Sequence, residues 1–183
     1  SQQPHLNSKR YTYVSSILSE SKLVFANLET PVLVHTPSVS DYLLYGLSEP
    51  TLEVLSLLKV SCVSLANNHI ADFGMAGVQS TISFLDQHKI LHTGAGWLPE
   101  HIKPVIIQCD GITIGFIAYV GKETHPKNVP GLLLNLFNEE AVVAEVYQLK
   151  KQVDKVICSI HWGRDYSTYY TSEQQAQAYK IIE

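Results

Sequence analysis

Three apolar, β-branched runs each end abruptly on a short polar motif, and this pattern restricts the fold more than any other feature of the chain. Residues 23–25 lead into Ala26-Asn27-Leu28-Glu29. Residues 60–65 lead into Ala66-Asn67-Asn68-His69-Ile70-Ala71-Asp72-Phe73-Gly74, and residues 155–160 into His161-Trp162-Gly163-Arg164-Asp165-Tyr166. Such runs read as buried strands, and in layered α/β folds ligands gather at the carboxyl ends of strands. Strand ends carrying Asn and Glu, Asn and His, and His bring oxygen and imidazole donors to one edge of a sheet. That is the layout of a hydrolytic metal site.

Helical patterns alternate with these runs. Residues 8–20 read as a helix with Tyr13, Ile17 and Leu18 on one face, and residues 30–47 as a long loop. Ser48-Glu49-Pro50 opens a helix over about 50–59 whose Leu52, Leu55 and Leu58 recur at helical spacing. A helix over about 75–88 turns Val78, Ile82 and Leu85 inward. Residues 90–93 form a short strand ending in Gly94-Ala95-Gly96, which reads as a tight turn. Residues 104–109 and 112–119 flank Asp110-Gly111, a strong hairpin signal. A loop covers 121–131, a helix capped by Asn138 or Glu139 runs to about 150, a strand spans 154–160, and a last helix spans 172–182. With 183 residues, no internal repeat and no dividing linker, the expectation is one domain. The chain stops in mid-helix, which reads as a fragment of something longer.

Composition narrows the function classes. A net charge of −4 offers no basic footprint for nucleic acid. No apolar run approaches the roughly 18 residues that cross a bilayer, and no leader is visible at the start. Cys62, Cys109 and Cys158 lie inside strand patterns without ligand spacing and read as buried free thiols. His5, His35, His88, His92, His101 and His125 lack any context that lifts them above surface histidines.

Residues 26–31 (Ala-Asn-Leu-Glu-Thr-Pro) and 64–74, Thr81 through Leu85, Gly94-Ala95-Gly96, and His161-Trp162-Gly163-x-Asp165-Tyr166 followed by Gln174 or Gln175 together resemble the bacterial capsule-synthesis (CapA/PgsA-like) family. That family is associated with poly-γ-glutamate and related to calcineurin-like metallophosphoesterases. The resemblance spans nearly the whole chain. It implies an α/β fold of the calcineurin-like type, a two-sheet sandwich flanked by helices (four-layer αββα), in truncated form. The family's first Gly-Asp motif and its later Gly-His-x-Pro-His segment are absent from these residues. What remains resembles most of one metal position: Asn27 or Glu29 at the bridging place, Asn68 and His161. A divalent ion (Mn, Fe or Zn) suits such mixed nitrogen and oxygen donors, with one or two ions in the complete protein.

Each residue has a plainer reading as well. Asn68 reads as a ligand or as a helix cap. His69 reads as the group that protonates a leaving group or as a solvated loop histidine. Asp72 reads as catalytic, or as the carboxylate that orients His69. Trp162, Arg164 and Asp165 read as substrate-binding groups, or as packing and a solvated pair. Two functions follow: a metal-dependent hydrolase acting on a phosphoester or a polymer amide bond, or a non-catalytic subunit that binds an anionic polymer. The resemblance places either at the outer face of the cytoplasmic membrane, beside membrane-bound capsule-synthesis subunits.

Overall fold

The computed structural model describes residues 8–34, 46–164 and 166–183. After a 3₁₀ turn at Ser8–Tyr11, the elements run α1 (Thr12–Leu18), β1 (Phe25–Asn27), β2 (Val32–Leu33), β3 (Gly46–Leu47), α2 (Ser48–Leu57), β4 (Cys62–Ser64) and α3 (Gly74–Gln87). There follow β5 (Leu91–Thr93), β6 (Ala95–Gly96), β7 (Val105–Cys109), β8 (Ile112–Val120), β9 (Leu133–Leu134), α4 (Glu139–Leu149), β10 (Lys155–His161) and α5 (Ser172–Ile182). Strands β1, β4 and β5 make a parallel sheet in the order β1-β4-β5. A second sheet runs β10-β8-β7, with β10 parallel and β7 antiparallel to β8.

Strand β8 shows why the sheets stack. Residues 116–120 are all buried, so both faces need cover. Ile117 and Tyr119 join Val142, Val146 and Leu149 of α4 and Ile181 of α5 in one cluster. The alternate residues face the other way. Phe116 meets Phe25 of β1 with ring centroids 4.8 Å apart, and Ala118 and Val120 pack with Ala66 just beyond β4. On the far side of the first sheet, Val78, Ile82 and Leu85 of α3 join Val63, Leu65 and Leu55 of α2. Burying those three α3 side chains contributes roughly 5–9 kcal/mol, at about 1.5–3 kcal/mol each. The layers run helix, sheet, sheet, helix, as the four-layer reading expects.

The hairpin forms at the expected place. Asp110 and Gly111 both adopt positive φ (49° and 78°), the type I′ geometry whose twist matches the flanking strands, and Cys109 pairs with Ile112.

Four expectations need correction. Tyr13 and Ile17 of α1 are solvent-exposed at 76% and 59%; only Leu18 reaches the core, and the Ser15 hydroxyl donates to the Leu57 carbonyl. The helix therefore rests on its Ser15–Leu18 side, through one apolar side chain and one hydrogen bond to the end of α2. The ends of the 30–47 loop pair in parallel as β2 and β3, while residues 35–45, with His35, lie outside the described residues. Ala95–Gly96 is a strand paired with β9 rather than a turn. His92 and His101 belong to a packed cluster rather than the surface. The His92 side chain is 9% exposed, its Nε2 lies 3.1 Å from Asp86 Oδ1, and the His101 ring meets Trp97 edge-on at 4.6 Å. The three cysteines are free thiols; Cys62 is buried, and Cys109 and Cys158 are half-buried.

Candidate functional site

The site lies where the carboxyl ends of β1, β4 and β10 meet. Register aligns Asn27 with Ser64 in the first sheet and His161 with Val120 in the second. The chain leaving β1 is pinned to α3. The Val32 N–H donates to Thr81 Oγ1 at 2.9 Å and the Ser80 hydroxyl donates to the Val32 carbonyl at 2.7 Å, which holds residues 28–31 against the sheet edge.

Asn67 organises the turn after β4. It is fully buried and spends its whole hydrogen-bonding capacity. Oδ1 accepts from the His69 and Ile70 N–H groups at 3.1 and 2.9 Å, an Asx-type turn. Nδ2 donates to the Leu28 carbonyl at 3.0 Å and to Asn27 Oδ1 at 3.2 Å, tying the end of β1 to the turn. The capping chemistry weighed for Asn68 thus belongs to Asn67, and α3 itself has no side-chain cap. Asn68 instead reaches across the sandwich: its Oδ1 stands 2.9 Å from His161 Nε2, joining residues 93 positions apart.

Beside it, His69 sits in an acidic bracket. Its Nδ1 is 2.7 Å from Asp72 Oδ2, and its Nε2 is 3.9 Å from Glu29 Oε1, beyond hydrogen-bond range. A carboxylate only accepts, so Nδ1 carries the proton toward Asp72, which leaves Nε2 as the nitrogen free to exchange a proton. The Asp72 side chain is 5% exposed, and its other oxygen, Oδ1, meets Lys127 Nζ at 2.7 Å. A buried carboxylate needs such partners, since desolvation otherwise exceeds what it gains. Glu29 Oε2 accepts from Asn27 Nδ2 at 3.0 Å, which closes the chain of contacts from Asn27 to Asp72.

Trp162 and Arg164 leave this centre on the other side. They line a cleft of about 420 Å³ with Glu123, Glu173 and Gln174. Trp162 also meets Phe137 edge-on at 5.1 Å, so packing and lining coexist. Gly163 makes the exit possible: its φ is +96°, and a Cβ there would lie 2.7 Å from the Gln174 amide. Its N–H donates to Glu123 Oε1 at 3.0 Å. Asp165 lies outside the described residues.

A family model described as bacterial capsule synthesis protein PGA_cap matches residues 4–183. The chain belongs to that family. The capsule biosynthesis protein CapA of Bacillus anthracis is 26% identical over 186 residues, which cover 94% of this chain and 45% of that protein. The PGA biosynthesis protein CapA of Bacillus subtilis (strain 168) is 27% identical over 176 residues, covering 92% and 46%. The chain therefore spans about half the length of these curated CapA relatives. Among solved structures, the NAD nucleotidase NadN of Haemophilus influenzae superposes with a TM-score of 0.50 at 18% identity, over 68% of this chain and 25% of that one. The 5'-nucleotidase precursor of Thermus thermophilus gives 0.48 at 19% identity, over 61% and 23%. The likeness to NadN bears on the fold alone: this capsule synthesis family member shares the α/β fold of that nucleotidase over the part superposed.

Whether the residues suit an ion can be judged from the donors. Two ligands at right angles on one ion, with bonds near 2.1 Å, stand about 3 Å apart. Asn68 Oδ1 and His161 Nε2 meet that spacing, and they come from different sheets. The oxygens of Asn27 and Glu29 are engaged with Asn67, with each other and, at 3.9 Å, with His69. Among the described residues no group of three His, Cys, Asp or Glu side chains converges on one point. The donor set fits part of one metal position.

Sequence reasoning missed Asn67 and Lys127. An Asn just after a strand and before a glycine-free turn is a recognisable Asx signal. Lys127, in a loop without periodicity, carries none.

Proposed function

We propose that this capsule synthesis family member carries a metal-dependent hydrolase site that acts on a phosphoester or on an amide bond of a polyglutamate-like polymer. The observation that supports the reading best is the 2.9 Å approach of His161 Nε2 to Asn68 Oδ1 across two sheets, next to the His69–Asp72 pair. His161 and Asn68 would hold the ion, with Asn27 or Glu29 at the bridging place and further ligands from the complete protein. When bound, a divalent ion polarises the substrate oxygen and lowers the pKa of a coordinated water. The chain's own residues manage the rest. Asp72 would fix the His69 ring with Nε2 turned to the substrate, where it takes a proton from an attacking group or, once protonated, gives one to a leaving group, while Lys127 pairs with Asp72 so that His69 carries that proton. Trp162 and Arg164, which line the neighbouring cleft, would form the substrate rim. The same proposal places the protein at the outer face of the cytoplasmic membrane among membrane-bound capsule-synthesis subunits. No helix among the described residues is long and apolar enough to cross a membrane.

Metal analysis and hydrolysis of a generic phosphoester and a γ-glutamyl amide, measured on the full-length protein, test this. His161→Ala should lose metal and activity together. His69→Ala should keep the metal and slow by about 10²–10⁴-fold, the scale of a lost proton-transfer group. A second reading, a non-catalytic subunit that binds an anionic polymer, draws on the absence of a three-ligand cluster among the described residues. A full-length protein that is metal-free and inactive would decide for it.

A further inference from the structure

We infer that His101 is the catch of a pH-operated latch: its neutral ring holds residues 94–102 closed behind the turn that carries Asn67, and protonation releases them. The latch does not depend on the hydrolase reading, because it is built from residues outside the candidate site.

The ring is seated inside its own loop. A Cβ on Gly96 would lie 2.3 Å from His101 Nδ1, so the imidazole occupies the space a side chain there would need. The Trp97 N–H donates to the same Nδ1 at 3.3 Å. A nitrogen that accepts keeps its lone pair, so the closed loop holds the neutral ring with its proton on Nε2. A second proton would set two donors face to face and break the bond.

The surroundings do not offset that loss. From β5, the His92 ring stands with its centroid 5.7 Å away, and its buried Nδ1 has no partner among the described residues. From α3, Asp86 is already engaged with His92 Nε2. The 3₁₀ turn at Pro99–Ile102 adds Glu100, an exposed acid, while β6 (Ala95–Gly96) and β9 (Leu133–Leu134) present no titratable residue. Burial and then the His92 charge lower His101 from its ordinary value, the direction this geometry demands.

Backbone bonds define what the catch holds. The Gly94 N–H donates to the His101 carbonyl at 3.0 Å, and the Asn135 side chain donates to the Ile102 carbonyl at 2.8 Å. The Asn135 N–H donates to the Gly94 carbonyl, and its carbonyl accepts from the Val120 N–H, both at 2.9 Å. Asn135 is thus the joint between the loop and β8. The other end backs the site. A Cβ on Gly94 would stand 2.7 Å from the Ala66 methyl, Leu134 packs on Ala66 as well, and Ala66 immediately precedes Asn67. Opening residues 94–102 therefore removes the support under the Asn67 turn.

Once open, His101 meets water and regains its ordinary value of 6.5. Closure is complete above that value and weakens as pH falls through it, by at most about tenfold in the opening constant per pH unit for one proton.

Hydrogen exchange of the full-length protein between pH 7.5 and 5, corrected for the chemical rate, tests the latch. Protection of the Gly94, Trp97, His101 and Asn135 amides should fall with acidity below about pH 6.5, by up to about tenfold per unit, while α3 and β10 amides hold theirs. His101→Gln, whose amide oxygen can still accept from Trp97 but does not titrate, should abolish the dependence, and His125→Gln should leave it intact. Protection of the four amides that ignores pH, or an equal fall in α3 and β10, would overturn the inference in the unmodified protein alone. A dependence that survives in folded His101→Gln would overturn it equally.

Discussion

Replacing Asn67 by alanine tests the idea that two adjacent asparagines carry opposite duties. The substitution removes four hydrogen bonds. It strands the N–H of Ile70, a residue that is 1% exposed, and releases the half-buried Leu28 carbonyl and the His69 N–H. A buried unpaired donor costs about 1–3 kcal/mol, and the two half-buried groups add roughly 0.5–1 kcal/mol each. The expected loss is therefore about 2–5 kcal/mol. At about 2–4 °C per kcal/mol for a chain of this size, the melting temperature should fall by roughly 5–15 °C. Asn68→Ala removes only the contact with half-exposed His161 and should cost under about 1 kcal/mol. Denaturant unfolding of both variants gives the comparison. If Asn67→Ala costs no more than Asn68→Ala, the assignment of Asn67 as the pin of the turn is wrong.

Three further outcomes are expected. Asp72→Asn in the full-length protein should retain metal but slow hydrolysis roughly ten- to a hundredfold, the scale for a lost orienting partner, measured by metal analysis beside initial rates. Burial pushes the Cys62 and Cys158 thiols up to about 12, with the Glu145 charge adding to the second. Their thiolates are scarce near neutral pH, so mass mapping after mild alkylation should find Cys109 modified first and the other two only on unfolding. Burial, then the charge of His92, lowers His101 from its ordinary value of 6.5, while Glu100 and Asp86 oppose the shift. Its Nδ1 also accepts from the Trp97 N–H, which requires the neutral ring. A group depressed on folding contributes stability present above its unfolded value and lost as pH falls through the folded one. Stability should thus decline below about pH 6.5, and His101→Gln should flatten that slope, read from denaturation midpoints against pH.

The strands at the motifs were legible because β-branched runs that stop on polar residues have few other interpretations. Their ends converged as the pattern implied, and Asn68 and His161 met. The inward face of α3 followed directly from the 3.6-residue period. The face of α1 did not, because its partner is a carbonyl at the end of α2 and periodicity only reports apolar neighbours. Choosing between Asn67 and Asn68 required knowing which side chain turns under the loop, a matter of one residue's rotation. Lys127 reaches Asp72 only through the loop after β8, and tertiary placement of that kind leaves no local trace. His92 and His101 were passed over for the same reason: their burial comes from each other and from Trp97, not from a motif.

The contact between Asn68 and His161 has a kinetic side. Its two partners belong to separately hydrogen-bonded sheets with their own helical covers, so each half can form locally while the bridge cannot. Closing a loop of 93 positions is among the slowest steps available to this chain, and the site should be among the last features to mature. A ligand that grips both side chains binds only the docked arrangement. By mass action it would hold the two layers together, slowing their separation and protecting the amides of β8 and β10 from exchange well away from where it sits.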